Sequence, residues 1–71
     1  MSERLPRVTA DELIRVVQRH GFVLVRQSGS HKIFRNAKGT RLTIPHHPRK
    51  TLHPKLVKAV LQGADISPSE F

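Results

Sequence analysis

The sequence predicts a small α+β domain with the element order αβββα, and two observations carry this prediction. Two segments with apolar residues at helical spacing lie towards the two ends of the chain, and three short runs rich in apolar and β-branched residues lie between them. Each helical segment has one apolar face, and a three-stranded antiparallel sheet has one face to cover. We therefore expect both helices to pack on the same face of the sheet.

The first helix is predicted to begin after Thr9, because Thr9 and Glu12 have the spacing of a capping box. Gly21 supplies the signal that ends it. The residues before it, 1–8, are expected to form a short N-terminal tail. The whole chain, 1–71, is expected to form a single domain, since a chain of this length has room for only one core.

Three strands joined by short turns are predicted to follow as an antiparallel meander, and they comprise residues 22–26, 30–35 and 40–44. The first turn is placed at residues 27–29. The second is a hairpin loop in which Gly39 suits the left-handed position. Pro45 is expected to end the third strand, because proline cannot donate to a ladder of hydrogen bonds.

The second helix is predicted to begin near Pro54, a residue favoured in the first turn of a helix. Asp65 is the candidate for a left-handed position at its end, which Asp tolerates better than most residues. Ser67 and Glu70 have capping-box spacing and predict a final turn. The stretch between the third strand and this helix, residues 46–53, is expected to be an irregular basic loop.

The distribution of charge predicts a polyanionic partner. Thirteen Lys and Arg residues face five Asp and Glu residues, which gives a net charge of +8. No Asp or Glu occurs from Leu13 through Ala64, a span that contains all five histidines and most of the Lys and Arg residues. A nucleic acid or an acidic protein fits this pattern. The alternative is a solvated basic surface kept for solubility, although such surfaces usually intersperse both signs.

Several classes of chemistry lack the residues that they require. The chain has no cysteine, which rules out disulfides and thiolate nucleophiles and fits a reducing, cytoplasmic location. No apolar run approaches the roughly 20 residues of a membrane span, and the N-terminus does not read as a signal peptide. The few carboxylates occupy the tail and helix ends, so no pair is available for two-metal nuclease chemistry. We expect no metal and no small-molecule cofactor.

The best candidate for chemistry is the element Gly29, Ser30, His31 and Lys32. Gly29 allows a close approach of a phosphate, Ser30 offers a hydroxyl donor, and Lys32 adds charge. His31 suits proton transfer in RNA cleavage, where the ribose 2′-OH is an internal nucleophile, because an imidazole can both accept and donate a proton.

Strand alternation leaves the orientation of His31 open. His31 shares a face with Ile33, and Lys32 shares a face with Phe34. Because Ile33 and Phe34 are both apolar, either face could belong to the core. The alternative to a catalytic role is a buried histidine whose ring is satisfied by the backbone.

Four further residues are candidates for phosphate contact, namely Arg26, His47, Arg49 and Lys50. His47 is also a candidate for the second proton-transfer group, since cleavage needs an acid for the leaving 5′ oxygen. The three histidines of the basic loop, His46, His47 and His53, raise the alternative of a metal site. Their spacing matches no known structural zinc site.

These features together resemble a known family. The matching residues lie at element ends and around the first turn, and they are Gly21, Phe22, Arg26, Gly29, Ser30, His31, Phe34, Pro45, His47, Leu61, Ala64 and Ile66. Over residues 11–66 the set resembles the HicA toxins of bacterial and archaeal toxin–antitoxin pairs. The sequence departs from the family in its basic, proline-bearing segment before the last helix and in Asp65, where a glycine is common.

The resemblance implies a fold like that of double-stranded-RNA-binding domains and the activity of an mRNA interferase. It assigns the catalytic histidine to His31. It also implies inhibition by a HicB-type antitoxin whose RNase-H-like domain covers the active site. Two alternatives remain: a non-catalytic RNA-binding module that uses the same basic face, and an interaction module for an acidic protein.

Overall fold

A computed structural model describes residues 7–47 and 50–70 of the chain. The elements in chain order are α1 (Ala10–Arg19), β1 (Val23–Ser28), β2 (His31–Arg35), β3 (Arg41–Pro45), α2 (Pro54–Ala64) and a final 3₁₀ turn (Pro68–Glu70). The predicted αβββα order is therefore confirmed. Neither helix in the described part of the chain is long and apolar enough to cross a membrane.

Helix α1 begins with the predicted capping box. The Thr9 side chain accepts a hydrogen bond of 3.2 Å from the Glu12 backbone N–H, and the Glu12 carboxylate accepts one of 3.0 Å from the Thr9 backbone N–H. The helix ends before Gly21, whose φ of +89° requires the freedom of glycine. The reciprocal bonds satisfy two backbone donors that the first turn leaves free, which fixes where the helix starts.

The end of the predicted tail is part of the core. Residues 1–6 lie outside the described residues, but Val8 is only 2% exposed. Its carbonyl accepts a 2.7 Å hydrogen bond from the Leu52 backbone N–H, and Thr9 forms a bridge with Thr51. The segment before α1 and the segment before α2 therefore hold each other in place.

The sheet has the order β1-β2-β3 with antiparallel neighbours, so β2 is the central strand. The first turn differs from the prediction. It consists of Gly29 and Ser30, and Ser28 pairs directly with His31. Gly29 has a φ of +58°, which matches a two-residue type II′ turn with glycine in its first central position. The positive φ of Gly39 agrees with the predicted hairpin loop between β2 and β3.

One face of the sheet joins the core and the other does not. Phe34, Leu42 and Ile44 are at most 6% exposed and form one cluster with buried side chains of both helices. Both helices contact β3. Since neighbours along a strand point to opposite faces, His31 and Ile33 lie on the other side. We call that side the open face. Of the two apolar residues that the sequence left undecided, Phe34 faces the core and Ile33 does not.

Helix α2 has the predicted ends. It begins at Pro54, and the His53 side chain caps it by accepting a 3.0 Å hydrogen bond through Nδ1 from the Lys55 backbone N–H. It ends at Asp65, which has a left-handed conformation with φ of 58° and ψ of 43°. The final turn is also present, but the Glu70 carboxylate lies 3.2 Å from His20 Nε2 rather than completing the predicted box with Ser67.

Candidate nucleic-acid interface

His31 is the first residue of the central strand and follows the Gly29–Ser30 turn directly. Its side chain is exposed on the open face. The alternative of a buried histidine is therefore wrong. Among the described residues no group forms a hydrogen bond with its ring, so both ring nitrogens are available to a ligand.

The turn before His31 is tied to two other parts of the molecule. The Ser30 carbonyl accepts a 2.7 Å hydrogen bond from the His46 backbone N–H, just after β3. The His46 ring in turn lies 2.8 Å from an Asp11 carboxylate oxygen in the first turn of α1. At the turn itself, the Gln27 side chain donates a 3.1 Å bond to the Gly29 carbonyl. These bonds fix the position from which His31 projects.

The register of the three strands arranges the open face as three rows of three residues. Cross-strand partners share a face, and the rows are Ser28, His31 and Pro45; then Arg26, Ile33 and Thr43; then Val23, Arg35 and Arg41. Successive rows are two residues apart along β2, which corresponds to about 7 Å. These nine described residues include three arginines, one histidine and no carboxylate.

A β-bulge places Arg26 on the open face while Leu24 stays on the helix side. Strict alternation would put the two on the same face, but Val25 has no partner in the register. Leu24 pairs with Phe34 and Arg26 pairs with Ile33. An extra residue in one strand reverses the parity of the residues beyond it. Arg26, a predicted phosphate contact, consequently lies one row from His31.

Lys32 lies on the opposite face from His31. It pairs with Ile44 on the helix side and is half-buried. The structure therefore does not bring the Lys32 and His31 side chains together, since neighbouring residues of a strand point in opposite directions. A role for Lys32 in RNA binding stays a prediction.

The basic loop begins at the same end of the sheet as His31. Pro45 pairs with His31, and the exposed His47 follows two residues later. The Lys50 backbone N–H donates a 3.2 Å hydrogen bond to the His47 carbonyl, so the backbones of these two residues lie close together. Arg49, also predicted to contact phosphate, lies outside the described residues.

The histidines raised as metal ligands have separate contacts where they are described. His46 pairs with Asp11, and His53 caps α2. Within residues 7–47 and 50–70 no three side chains of the metal-binding types come together.

The charge of the open face is not neutralised within the described chain. The two ion pairs found there join His20 to Glu70 and His46 to Asp11. No described Lys or Arg pairs with a described carboxylate. Exposed cations without partners retain their attraction for an external polyanion.

Two open-face residues, Arg35 and Arg41, stand outside the predicted site although the sequence shows their charge. They are direct cross-strand partners at the end of the sheet away from His31. Spacing along the chain does not reveal this pairing, because it depends on the register that the Gly39 hairpin imposes. The pairing of the two arginines can be found in the sequence by counting residues outward along both strands from that hairpin.

Comparison with known proteins supports the family resemblance. A family model described as HicA toxin of bacterial toxin–antitoxin systems matches residues 10–66. The match begins at the first residue of α1 and ends just beyond α2, so it includes every strand and the His31 turn. No curated protein matches the chain.

Proposed function

Because the chain belongs to the HicA toxin family of bacterial toxin–antitoxin systems, we propose that it is a metal-independent endoribonuclease that cleaves mRNA with His31 as its catalytic residue. One observation carries this proposal. The His31 ring is exposed at the start of the central strand, on a sheet face whose described residues include three arginines and no carboxylate. Such a face attracts an RNA backbone and presents an imidazole that can accept or donate a proton.

The reaction needs two proton transfers and stabilisation of negative charge. The ribose 2′ oxygen bonds to the adjacent phosphorus while the bond from phosphorus to the 5′ oxygen breaks. One proton leaves the 2′-OH and another reaches the 5′ oxygen. His31 performs one of these transfers, and His47 is the candidate for the other. Arg26, one row from His31, stabilises the charge on the phosphoryl oxygens.

The turn and the loop supply the remaining phosphate contacts in this proposal. A Cβ added at Gly29 would meet no atom of the described residues within 4 Å, so they leave space beside the turn for a ligand. Ser30 offers its hydroxyl beside the same turn. His47 and Lys50 are exposed and offer contacts from the basic loop. Arg49 belongs to the proposal by its charge alone, because it lies outside the described residues.

Membership of a toxin–antitoxin family implies an antitoxin partner. We infer that a HicB-type antitoxin covers the open face and so competes with mRNA in the cytoplasm. The described residues of this face carry positive charge and no carboxylate, which supports an acidic surface on the partner. Covering His31 and Arg26 together excludes the RNA backbone without any change in the toxin's own fold.

The alternative function is a non-catalytic RNA-binding module. It is favoured by the basic open face alone, which would bind a backbone without cleaving it. The fold does not distinguish the two functions, because function depends on the site rather than on the architecture.

The experiment is RNA cleavage by the purified protein in the presence of a chelator. The wild type is compared with His31→Ala and with the matched control His20→Ala, whose ring lies at the end of α1 beside Glu70. We expect wild type and His20→Ala to cleave and His31→Ala to lose cleavage while still binding RNA. Cleavage by His31→Ala would remove His31 from the mechanism. Salt-sensitive binding without cleavage by any variant would establish the binding module instead.

A further inference from the structure

We propose that Arg35 and Arg41 form a second phosphate site, which binds the RNA backbone at the end of the open face away from His31. This inference rests on the proposed function, because it takes the bound polyanion to be RNA. It extends the site from the turn around His31 to the whole length of the sheet.

The two arginines are held side by side by the strand register. Arg35 ends β2, Arg41 begins β3, and the two are direct cross-strand partners on the open face. Both side chains are exposed. Arg35 Nη2 lies 3.9 Å from the position that a Cβ on Gly39 would take, so its guanidinium extends towards the tip of the hairpin. The site is thus fixed on one side by a tight turn.

The pairing is unfavourable unless an anion is bound. Like charges directly opposite each other destabilise an antiparallel sheet. No described carboxylate pairs with either arginine, so within the described chain nothing offsets the repulsion. A phosphate between two guanidinium groups accepts hydrogen bonds from both and neutralises part of their charge. A cross-strand arginine pair is therefore better explained by a ligand than by folding.

The spacing of the rows indicates how the strand of RNA lies. Arg35 is four residues from His31 along β2, which corresponds to about 13 Å. A single phosphate cannot contact both. Arg26 lies in the row between them. His31, Arg26 and the Arg35–Arg41 pair therefore form a track for an extended single strand, with one backbone phosphate at each end.

The contacts along this track are to the backbone rather than to the bases. Apart from His31, the described residues of the open face include no aromatic side chain on which a base could stack; between the charged residues the face has Val23, Ile33 and Thr43. Binding at the arginine pair should therefore depend on the charge and length of the RNA and little on its sequence.

The test measures binding of a fluorescein-labelled single-stranded RNA octanucleotide by anisotropy as salt is varied. All proteins carry His31→Ala, so that RNA stays intact. One variant adds Arg35→Gln with Arg41→Gln. The matched control adds Arg15→Gln with Lys58→Gln, which removes the same charge from exposed positions on α1 and α2. Thermal unfolding of each protein confirms that it is folded.

We expect the open-face variant to bind more weakly than the control. The slope of its salt dependence should decrease by about 0.7, because one RNA phosphate is no longer neutralised by the protein. Each single arginine substitution should weaken binding less than the double substitution, because the remaining arginine still contacts the shared phosphate. Equal weakening in the control would overturn the proposal, because the net charge of the protein would then account for the effect on RNA binding. Unchanged binding in the open-face variant would also overturn the proposal. The anion that the arginine pair binds would then be a carboxylate of the protein partner.

This test is separable from that of the proposed function. Binding is measured without cleavage, so the experiment tests the arginine site even if the protein proves not to be a nuclease. Conversely, cleavage that depends on His31 with no contribution from the arginine pair would retain the proposed function and remove only this extension. With wild-type His31, the open-face variant should raise KM for long RNA and leave kcat unchanged.

Discussion

The two faces of the sheet are formed by the same short strands, yet one is buried against the helices and the other is not. On the helix side, Phe34, Leu42 and Ile44 are buried against both helices and determine stability. On the open face, His31 and Ile33 alternate with the helix-side residues of β2 and point away from both helices. A chain of this size therefore places stability and ligand binding on separate faces of one sheet. One face of a thin domain supplies the core, and the other is left for a ligand.

The largest expected effect comes from breaking the helix side. Phe34→Ala should lower the free energy of unfolding by about 3–5 kcal/mol, because the ring is only 1% exposed at the centre of the core. Urea denaturation measures this directly. In a domain this small that loss is close to the entire stability, so RNA cleavage should disappear together with the fold.

The control for this variant lies next to it on the same strand. Ile33 is on the open face and only partly buried, so Ile33→Ala should cost clearly less than Phe34→Ala. Equal losses at the two positions would mean that both faces are covered. That result would contradict the assignment of an open face.

A smaller effect of opposite sign is expected on the open face. Arg41→Gln should raise the free energy of unfolding by roughly 0.2–1 kcal/mol at low salt, because it removes a like-charge pair with Arg35. The gain should shrink as salt is added, since salt screens exposed charges. Thermal unfolding at two salt concentrations provides the measurement, with Arg15→Gln as the control on α1. A loss of stability in Arg41→Gln would show that the pair contributes to folding.

The helix ends were predictable from the sequence because they depend on local chemistry. The capping box at Thr9 and Glu12, Gly21 after α1 and the left-handed Asp65 after α2 each require only a few neighbouring residues. Such signals act within one turn of chain and do not depend on the rest of the fold.

The details of the sheet were less predictable because they depend on register. The first turn is Gly29–Ser30 rather than 27–29, since the positive φ of Gly29 fits a two-residue turn and lets Ser28 pair with His31. The bulge at Val25 has no signature in the run of apolar residues around it. Two adjacent apolar residues also concealed which face His31 takes.

The site was predicted in part for the same reason. His31 and Arg26 come together on the open face, one row apart. Lys32, although adjacent to His31 in sequence, points to the other side, and Arg35 joins Arg41 only through the ladder. Residue types near the turn could be read from the chain, but their faces required the pairing of the strands.

The most direct test of the account is to map where RNA contacts the protein. Amide chemical shifts of ¹⁵N-labelled His31→Ala protein are measured by NMR as a single-stranded RNA octanucleotide is added. We predict changes in the Gly29–Ser30 turn, along β2 and at Arg26 and Arg41, with the outward surfaces of α1 and α2 unaffected. Changes concentrated on the helices, with the three strands unaffected, would contradict the claim that the open face is the RNA-binding face.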